Sequence, residues 1–402
     1  MSLSFTVIGM SDNPAPSFSK EVLDLISCGR VFSGGKRHHQ IVDSLLPQDS
    51  LWIDITVPLE DVYEKYRKED CHIIVFASGD PLFFGFASTL QRVMPDVPMK
   101  VFPYFNSLQI LAHKLLMPYH DMHIVSLTGR RWKTLDNALI EHKGKIGVLT
   151  DRQKTPDEIA RRMKEYGFTF YSMHIGEHLG NPEKETISSL SIEEVSEKTF
   201  ANPNCLILTI NKDHPARRFG IPESEFELLD GRQKMITKMP IRLITLQALE
   251  LYKRKTFWDI GFCTGSVSIE ARLAFPHLDI LAFEKRAGGR GLMETNSRRF
   301  SAPGIEYRIG DLLEMELGDD ERCDAAFIGG HGGHLEEIMR VTHKHMNPGG
   351  CIVFNSVTSN LVAAGSRDDF IRSANSLGMK LAEPIHIELD NNNPIDILKA
   401  EK

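Results

Sequence analysis

The stretch from Phe257 to Glu284 reads FWDIGFCTGSVSIEARLAFPHLDILAFE and predicts one β-α-β unit. An apolar strand runs into a turn that contains Gly261 and Gly265, and a helix follows. Glycine lets this turn close tightly and lets a ligand approach the backbone, while the first N–H groups of the helix face any polar group that docks there. The next strand ends in Glu284, where a carboxylate can accept the two hydroxyls of a ribose. The unit is therefore predicted to hold an adenosine-type cofactor.

The identity of that cofactor follows from the details of the turn. A nicotinamide site uses G-x-G-x-x-G, but Cys263 and Ser266 occupy the second and third glycine positions, so this fingerprint fails. A methyl donor needs less space for pyrophosphate, and the turn, including Thr264, fits it better. Asp311 follows a third apolar run at a position where it can receive an adenine amino group. We therefore expect S-adenosylmethionine.

A glycine-rich loop follows the next predicted strand, Asp324 to Ile328. It reads GGHGGH over residues 329–334. Ligands bind at the carboxyl ends of the strands in open α/β sheets, so this loop should form the floor beneath the reacting methyl group. Its glycines leave room for a bulky substrate. Gly329 is expected to contact the cofactor, and Gly330 and His331 to lie at the chemistry.

The composition indicates an ordinary globular chain with more than one domain. Of the 402 residues, 42% are apolar and 25% are charged. A chain of this length and composition can form two or three domains, each with its own apolar core. With a net charge of -7, the chain has no broad positive potential that would attract nucleic acid. No leader or long apolar run is evident, and the six cysteines form no C-x-x-C pair, so neither a membrane partner nor a metal or disulfide framework is expected. We expect a cytoplasmic protein.

Short β-branched runs alternate with amphipathic stretches in both halves, which predicts α/β folds throughout. In the second half, the pattern predicts helices over Arg242–Tyr252 and Val267–Ala274 and a strand over Asp279–Glu284. A polar stretch over residues 211–218 breaks the alternation. We place the domain seam there, with domains at 1–212 and 216–402.

In the first half, a strand ends in the turn Gly79-Asp80-Pro81, where proline fixes the backbone and glycine clears space for a ligand.

The second half resembles a known family over about residues 220–395. Four features carry the resemblance: Thr237-Lys238, the turn from Asp259 to Glu270, the loop over 329–333, and Asn355-Ser356-Val357-Thr358. They look like the decarboxylating precorrin C15-methyltransferases of cobalamin biosynthesis, which are class I methyltransferases with a Rossmann-like fold. Cys263 stands where that family usually has a second glycine, and His331 stands where it usually has serine.

The first half resembles the tetrapyrrole, or class III, methyltransferases, and within them the precorrin C5-methyltransferases. The motifs that carry this resemblance are the Gly79 turn and the segments at 34–38, 106–109, 126–130 and 176–180. The resemblance implies two α/β subdomains with S-adenosylmethionine in the cleft between them, and a homodimer. It assigns Gly79, Asp80, Pro81 and Ser107 to cofactor contacts and places Thr128 and Arg130 in the cleft wall.

Together the two resemblances imply methylation of a precorrin at C5 and C15, with loss of carbon dioxide from an acetate arm. A polycarboxylate substrate needs cations near its cleft, and the candidates are Lys36, Arg37, Arg130 and Lys238. Gly330, His331 and Asn355 are the candidates for the chemistry. Two alternatives remain open at this point: a methyltransferase with another substrate, and a non-catalytic tetrapyrrole or cofactor sensor. The assembly is expected to be a homodimer or homotetramer.

Overall fold

The computed structural model describes residues 2–231, 235–357, 361–389 and 393–402, with the side chains of residues 361–365 excepted. Thr358, which was quoted among the motifs, lies outside these residues. The described residues form two compact units. The first unit holds most of residues 2–212. The second holds residues 213–402 together with 132–143 and 163–168, so the division is not a single cut in the chain.

The first unit contains two five-stranded sheets. One sheet is parallel throughout, in the order β3-β2-β4-β1-β5; the other has the order β6-β7-β10-β8-β9 and is antiparallel except for the β6–β7 pair. The strands are β1 Ser4–Met10, β2 Val31–Gly34, β3 Leu51–Asp54, β4 His72–Ser78, β5 Met99–Phe102, β6 His123–Ser126, β7 Lys145–Leu149, β8 Tyr171–Glu177, β9 Thr186–Ser191 and β10 Asn204–Ile210.

Helices connect these strands. They are α1 Lys20–Cys28, α2 Lys36–Val42, α3 Leu59–Glu69, α4 Phe86–Val93, α5 Ser107–Lys114, α6 Lys133–Ile140, α7 Pro156–Glu165 and α8 Ile192–Ser196. Helix α6 belongs to the second unit, as do the last residues of α7. Apolar side chains cover both faces of the parallel sheet, since Phe5 and Val7 belong to one cluster and Ile8 and Met10 to another.

The second unit is built on an eight-stranded sheet of order β13-β12-β11-β14-β15-β18-β16, with β17 paired to β18. The first five strands in this order are parallel, and β18 runs antiparallel to β15. The strands are β11 Thr256–Ile260, β12 Asp279–Glu284, β13 Ile305–Ile309, β14 Cys323–Ile328, β15 Met346–Val357, β16 Lys380–Leu381, β17 Ile385–Ile387 and β18 Ile395–Glu401. Its other helices are α9 Met239–Ala248, α10 Ser266–Ala274, α11 Gly289–Arg299, α12 Leu335–His345 and α13 Leu361–Ser376.

The sheet of the second unit has an apolar layer on each face. Trp258 packs with residues of α12 and α13, whereas its neighbour Phe257 packs with residues of α9 and α10. This alternation follows from the period of two in a strand. From β11 the strand order runs one way through β12 to β13 and the other way through β14 to β15. Ligands of such sheets bind where the order switches, so the cleft outside the carboxyl ends of β11 and β14 is the expected ligand site. The α/β fold predicted for the chain is confirmed.

One helix boundary was wrong. The sequence predicted a helix from Arg242 to Tyr252, but α9 starts earlier, with Pro240 in its first turn, and ends at Ala248. Proline suits the first turn because its missing N–H has no helical partner there. The chain leaves the helix at Glu250, which adopts a left-handed φ of 52°. Among the described residues, no helix combines the length and apolar character needed to span a membrane.

Candidate active site

A cleft of about 640 Å³ opens at the carboxyl ends of the parallel strands in the second unit. Most of the residues predicted for this half of the chain line it: Lys238, Gly261, Thr264, Glu284, Asp311, Gly329, Gly330, His331 and Asn355. The exception is Gly265, which lies behind the lining at the start of α10 with a φ of 75°. The structure thus brings residues from six separate segments to one site, and their individual roles stay predictions.

Gly261 is required by a close approach of two backbone segments. Its φ is 77°, and a Cβ at this position would lie 2.6 Å from the backbone nitrogen of Gly330 and 2.7 Å from its oxygen. Neither contact is possible for a side-chain carbon, because both neighbours are backbone atoms. The cofactor turn and the floor loop are therefore packed directly against each other.

Glu284 fastens the turn as well as facing the cleft. Its side chain is only 4% exposed. One carboxylate oxygen accepts the Cys263 N–H at 2.8 Å, and the other accepts the Arg286 N–H at 2.9 Å. Each oxygen keeps a lone pair for a ligand. Cys263 itself has a φ of 51°, the left-handed conformation that favours glycine.

Two buried polar atoms in the cleft have no hydrogen-bond partner. They are Oδ1 of Asp259 and Oγ1 of Thr264. The other oxygen of Asp259 accepts the N–H and the hydroxyl of Ser268. Burial raises the pKa of Asp259 to about 7, with the Ser268 hydrogen bonds opposing the shift and Glu284 adding to it. Unpartnered buried polar atoms are costly, so these two are suited to receive polar groups of a ligand. The sequence reasoning did not assign Asp259 to the site.

Asp311 has partners within the protein. Its Oδ2 lies 2.6 Å from Nζ of Lys285, and its Oδ1 accepts the Leu313 N–H at 3.1 Å. Hydrogen bonding to Lys285 and Leu313 lowers the pKa of this carboxyl. It caps the short 3-10 turn that follows, as acids often do. Its expected contact with adenine stays a prediction.

His331, in the floor loop, and Asn355, in β15, line the same cleft. The Asn355 amide nitrogen lies 3.0 Å from the hydroxyl of Thr245, which donates to the Ile241 carbonyl in α9. A Cβ on Gly330 would meet nothing closer than 3.9 Å. Gly330 therefore keeps open space that a larger side chain would fill.

A strap, defined here as residues 220–231 and 235–238, completes the wall of the cleft. Thr237 and Lys238 at its end were predicted from the sequence, but the rest of the strap was not. Its last four residues line the cleft. The buried pair Arg242 and Glu270, both 0% exposed, anchors it. Glu270 accepts the N–H groups of Gly220 and Ile221, and Arg242 donates to the Ile221 and Thr237 carbonyls.

Asn296 in α11 is the second anchor of the strap. Its amide exchanges hydrogen bonds with the backbone of Glu227 at 2.8 and 3.0 Å and donates to the Thr264 carbonyl at 2.9 Å. It therefore connects the strap to the cofactor turn.

The sequence contained one signal for the anchors of the strap. Arg242 and Glu270 stand among the apolar residues of α9 and α10, and charges on a buried helix face need partners.

The first unit has a smaller cleft of about 140 Å³. Of the residues predicted for this half, Arg37, Gly79 and Ser107 line it, and five lie outside its lining: Lys36, Asp80, Pro81, Thr128 and Arg130. Three of the five make local hydrogen bonds instead: Asp80 to the Leu82 N–H, Thr128 to the Thr150 carbonyl, and Arg130 to the Ser126 hydroxyl.

Asp12 lines this smaller cleft and has two polar partners. One of its oxygens lies 3.1 Å from Nη1 of Arg37, and the other lies 2.9 Å from Nδ1 of His178. Arg37 also donates to the Ser78 hydroxyl, which contacts Nε2 of His38. Burial lowers the pKa of His38 to about 4, so its ring is neutral at pH 7. Arg37, predicted to bind substrate, is thus engaged by Asp12 in this structure.

Comparison with known proteins yields a consistent set of relatives. A family model described as a precorrin methyltransferase domain matches residues 229–383. The chain is 28% identical to a Sinorhizobium precorrin-6Y C(5,15)-methyltransferase (decarboxylating), covering 89% of this chain and 86% of the relative. It is 32% identical to a Salmonella typhi cobalt-precorrin-6B C(15)-methyltransferase (decarboxylating), covering 43% of this chain and 93% of the relative. The chain belongs to the decarboxylating precorrin methyltransferase family.

A third relative is named for methylation at C5. A Salmonella typhimurium cobalt-precorrin-7 C(5)-methyltransferase is 29% identical, with 48% of this chain and 92% of the relative covered. Membership in the precorrin methyltransferase family confirms the prediction of a methyltransferase and, with it, of S-adenosylmethionine as the methyl donor.

The larger cleft fits that donor. The close approach of Gly261 to Gly330 leaves backbone, not side chains, at the turn. The free lone pairs of Glu284 and the unpartnered oxygens of Asp259 and Thr264 are acceptors for the hydroxyl and ammonium groups that the donor carries. The volume of this cleft lies within the range of about 300–1,000 Å³ that is usual for small-molecule sites.

Proposed function

We propose that this protein methylates a precorrin, with or without cobalt, at C5 and C15 and removes carbon dioxide from an acetate arm. We assign C5 methylation to the domain of residues 1–212, and C15 methylation with decarboxylation to the domain of residues 216–402. The observation that carries the proposal is the larger cleft, where a tight cofactor turn directly abuts an open, glycine-lined floor. A relative with both activities in its name matches 89% of this chain, and two relatives with one activity each match 43% and 48% of it, which supports two separate activities.

The catalytic demand on the protein in methyl transfer is alignment. S-adenosylmethionine supplies an electrophilic methyl group, and a conjugated enamine carbon of the ring is already nucleophilic. The turn at Gly261 and the floor at Gly330 set the separation between the donor and acceptor sides of the cleft. The strap excludes water from one wall. Fixed orientation of two reactants and exclusion of water lower such a barrier without a strong general base.

Decarboxylation needs a different environment. As the bond to the carboxyl carbon breaks, a negative charge disappears from the carboxylate. A floor with few cations favours that loss of charge, because a strong ion pair would stabilise the starting state more than the transition state. Gly330 and the glycines beside it supply such a floor, and we assign the lost acetate arm to this region.

The remaining polar groups are assigned to substrate and assembly. We propose that Lys238 at the larger cleft, and Lys36, Arg37 and Arg130 around the smaller one, bind carboxylate arms of the substrate. Gly79, Asp80, Pro81, Ser107 and Thr128 are proposed donor contacts of the first unit. We further propose that the protein acts in the cytoplasm as a homodimer or homotetramer.

Mass spectrometry of the product tests the proposal. The full chain is incubated with a precorrin pool and methyl-labelled S-adenosylmethionine. We expect two methyl gains and one loss of carbon dioxide. A Gly79→Val variant should retain the C15 gain and the loss of carbon dioxide, because a side chain at Gly79, with a φ of 62°, disturbs only the smaller cleft. Methylation of other substrates but not of precorrins would contradict the proposal, as would donor binding without turnover.

A further inference from the structure

The proton of His331 has a defined position. The Gly333 N–H donates to Nδ1 of His331 at 3.2 Å. A ring nitrogen that accepts a hydrogen bond carries no proton, so the neutral ring carries its proton on Nε2. Gly332 and Gly333 have φ values of 57° and 93°, which shape the turn that brings this N–H back to the ring. His331 lines the larger cleft.

The surroundings of His331 favour the neutral ring. It packs edge-on against Phe354, with ring centroids 5.7 Å apart and an interplanar angle of 80°. Burial lowers the pKa of His331 below the usual value, His334 lowers it further, and Asp369 opposes the shift. The hydrogen bond from Gly333 acts in the same direction as burial, because it exists only while Nδ1 is unprotonated.

The floor loop, residues 329–334, contains no lysine or arginine. Among the residues that the structure describes, the permanent positive charges that line the cleft are on Lys238, Lys285 and Arg286, which belong to the strap and to the end of β12. Lys285 is paired with Asp311. Within residues 329–334, His331 and His334 are the ionisable side chains.

Building on the proposed function, we propose that neutral His331 donates a hydrogen bond from Nε2 to the carboxylate arm that is lost and so orients that arm for decarboxylation. The bond between the methylene and the carboxyl carbon breaks, its electron pair enters the conjugated ring, and carbon dioxide leaves. The methylene carbon then takes a proton from water and becomes a methyl group. One carboxylate is thereby replaced by one hydrogen.

A neutral donor suits this step better than a cation. It fixes the direction of the carboxylate, so that the breaking bond stands perpendicular to the ring plane and overlaps its conjugated system. It does so without the strong charge pairing that would hold the carboxylate in its starting state.

Three variants of the full chain separate this role from the alternatives. His331→Gln keeps a neutral N–H donor, His331→Leu removes it, and His331→Lys replaces it with a cation. Carbon dioxide release and methyl transfer are measured separately with a precorrin pool and labelled donor, and donor binding is measured by calorimetry. We expect Gln to retain release within about threefold, and Leu and Lys to slow it by about tenfold or more. Donor binding and C5 methylation should be unchanged in all three.

The pH profile provides a readout that a structural role would not change. Wild-type carbon dioxide release should fall as the pH drops and His331 gains a proton, whereas release by His331→Gln should not follow that titration. Equal loss in Gln and Leu would overturn the proposal in favour of proton transfer by the ring. Normal release in Leu or faster release in Lys would also overturn it. If the wild type methylates precorrins but releases no carbon dioxide, or does neither, the proposed function fails first and this inference with it.

Discussion

The two clefts of this protein lie at similar places in their folds but differ in size and in what shapes them. The larger one, in the second unit, measures about 640 Å³, and the smaller one, in the first unit, about 140 Å³. Both lie beside glycine turns at the carboxyl ends of parallel strands. Backbone packing at Gly261 holds the larger one in shape, whereas Asp12, which lines the smaller one, pairs with Arg37 and contacts His178.

The difference between the two clefts shows what a local sequence motif determines and what it leaves open. A glycine turn marks where the backbone comes close to a ligand, but it does not decide whether the adjoining space is accessible. The smaller cleft lies below the range of about 300–1,000 Å³ usual for small-molecule sites. We therefore expect donor binding there to require a rearrangement of the lining, for example of the Asp12–Arg37 pair.

The largest expected effect comes from Gly261→Ala. The added Cβ would meet the backbone of Gly330 at 2.6 Å, and the φ of 77° disfavours any side chain. We expect donor affinity at the larger cleft to fall by more than about 100-fold, with the stoichiometry by calorimetry dropping by one site. Gly291→Ala is the matched control, because a Cβ there has no neighbour within 4 Å. Wild-type binding in Gly261→Ala would contradict the account of the turn.

Gly330→Leu should have a large but more selective effect. A Cβ at Gly330 fits the fold, since its nearest neighbours are 3.9 Å away, but the longer side chain fills the floor. We expect C15 methylation and carbon dioxide release to fall together by about 100-fold or more, because misplacement of reactants by about 1 Å already has effects of that size. C5 methylation and the thermal unfolding midpoint should change little. Normal C15 turnover would show that the floor does not receive the substrate.

A smaller effect is expected from Asp259→Asn, and it depends on pH. The pKa of Asp259 in the folded protein is about 7, above the 3.8 of a free aspartate. The resulting stabilisation is complete below about pH 4 and is lost as the pH rises through 7, because the buried carboxylate must then ionise. Asn stays neutral while still accepting from Ser268. Between pH 5 and 8, the midpoint of unfolding of the wild type should therefore fall relative to that of the variant. Parallel curves would contradict the assigned burial effect.

The smallest expected effect concerns the smaller cleft. His178→Ala removes one of the two polar partners of Asp12, a hydrogen bond of 2.9 Å. Because this partner helps to hold Asp12 against Arg37 in the cleft lining, we expect the donor to bind the first unit about fivefold more tightly in the variant. Calorimetry in a Gly261→Ala background isolates this site. His174→Ala, on the same strand but bonded to Ser189 and Thr209, is the control. Weaker binding in His178→Ala would mean that His178 supports the site and does not restrain it.

Local patterns predicted most elements of the fold within a few residues. Strand β12 was predicted with its observed bounds, Asp279–Glu284, and α10 begins one residue before its predicted start at Val267. Such elements depend on periodicity and turn chemistry over short stretches, which the sequence displays directly. The end of α9 was wrong because apolar residues continue past Ala248 while the backbone reverses at Glu250.

The candidate site was predicted unevenly for the same reason. The turn, the acid at Glu284 and the floor loop reach the larger cleft because they follow the ends of neighbouring parallel strands. Asp80 and Arg130 do not line the smaller cleft, because local hydrogen bonds and a ring contact with Phe84 fix their side chains elsewhere. The strap anchors Glu270 and Asn296 were missed, since their partners lie far along the chain.

The sequence by itself determined the α/β character of both halves and the cofactor turn with its acid, because each of these depends on residues close together in the chain. Only the tertiary structure decided the size and the lining of each cleft. Asp12 meets His178 across 166 residues, and Asn296 meets Glu227 across 69. Pairings over such distances arise from the packing of whole elements, so no local pattern encodes how much space adjoins a predicted binding turn.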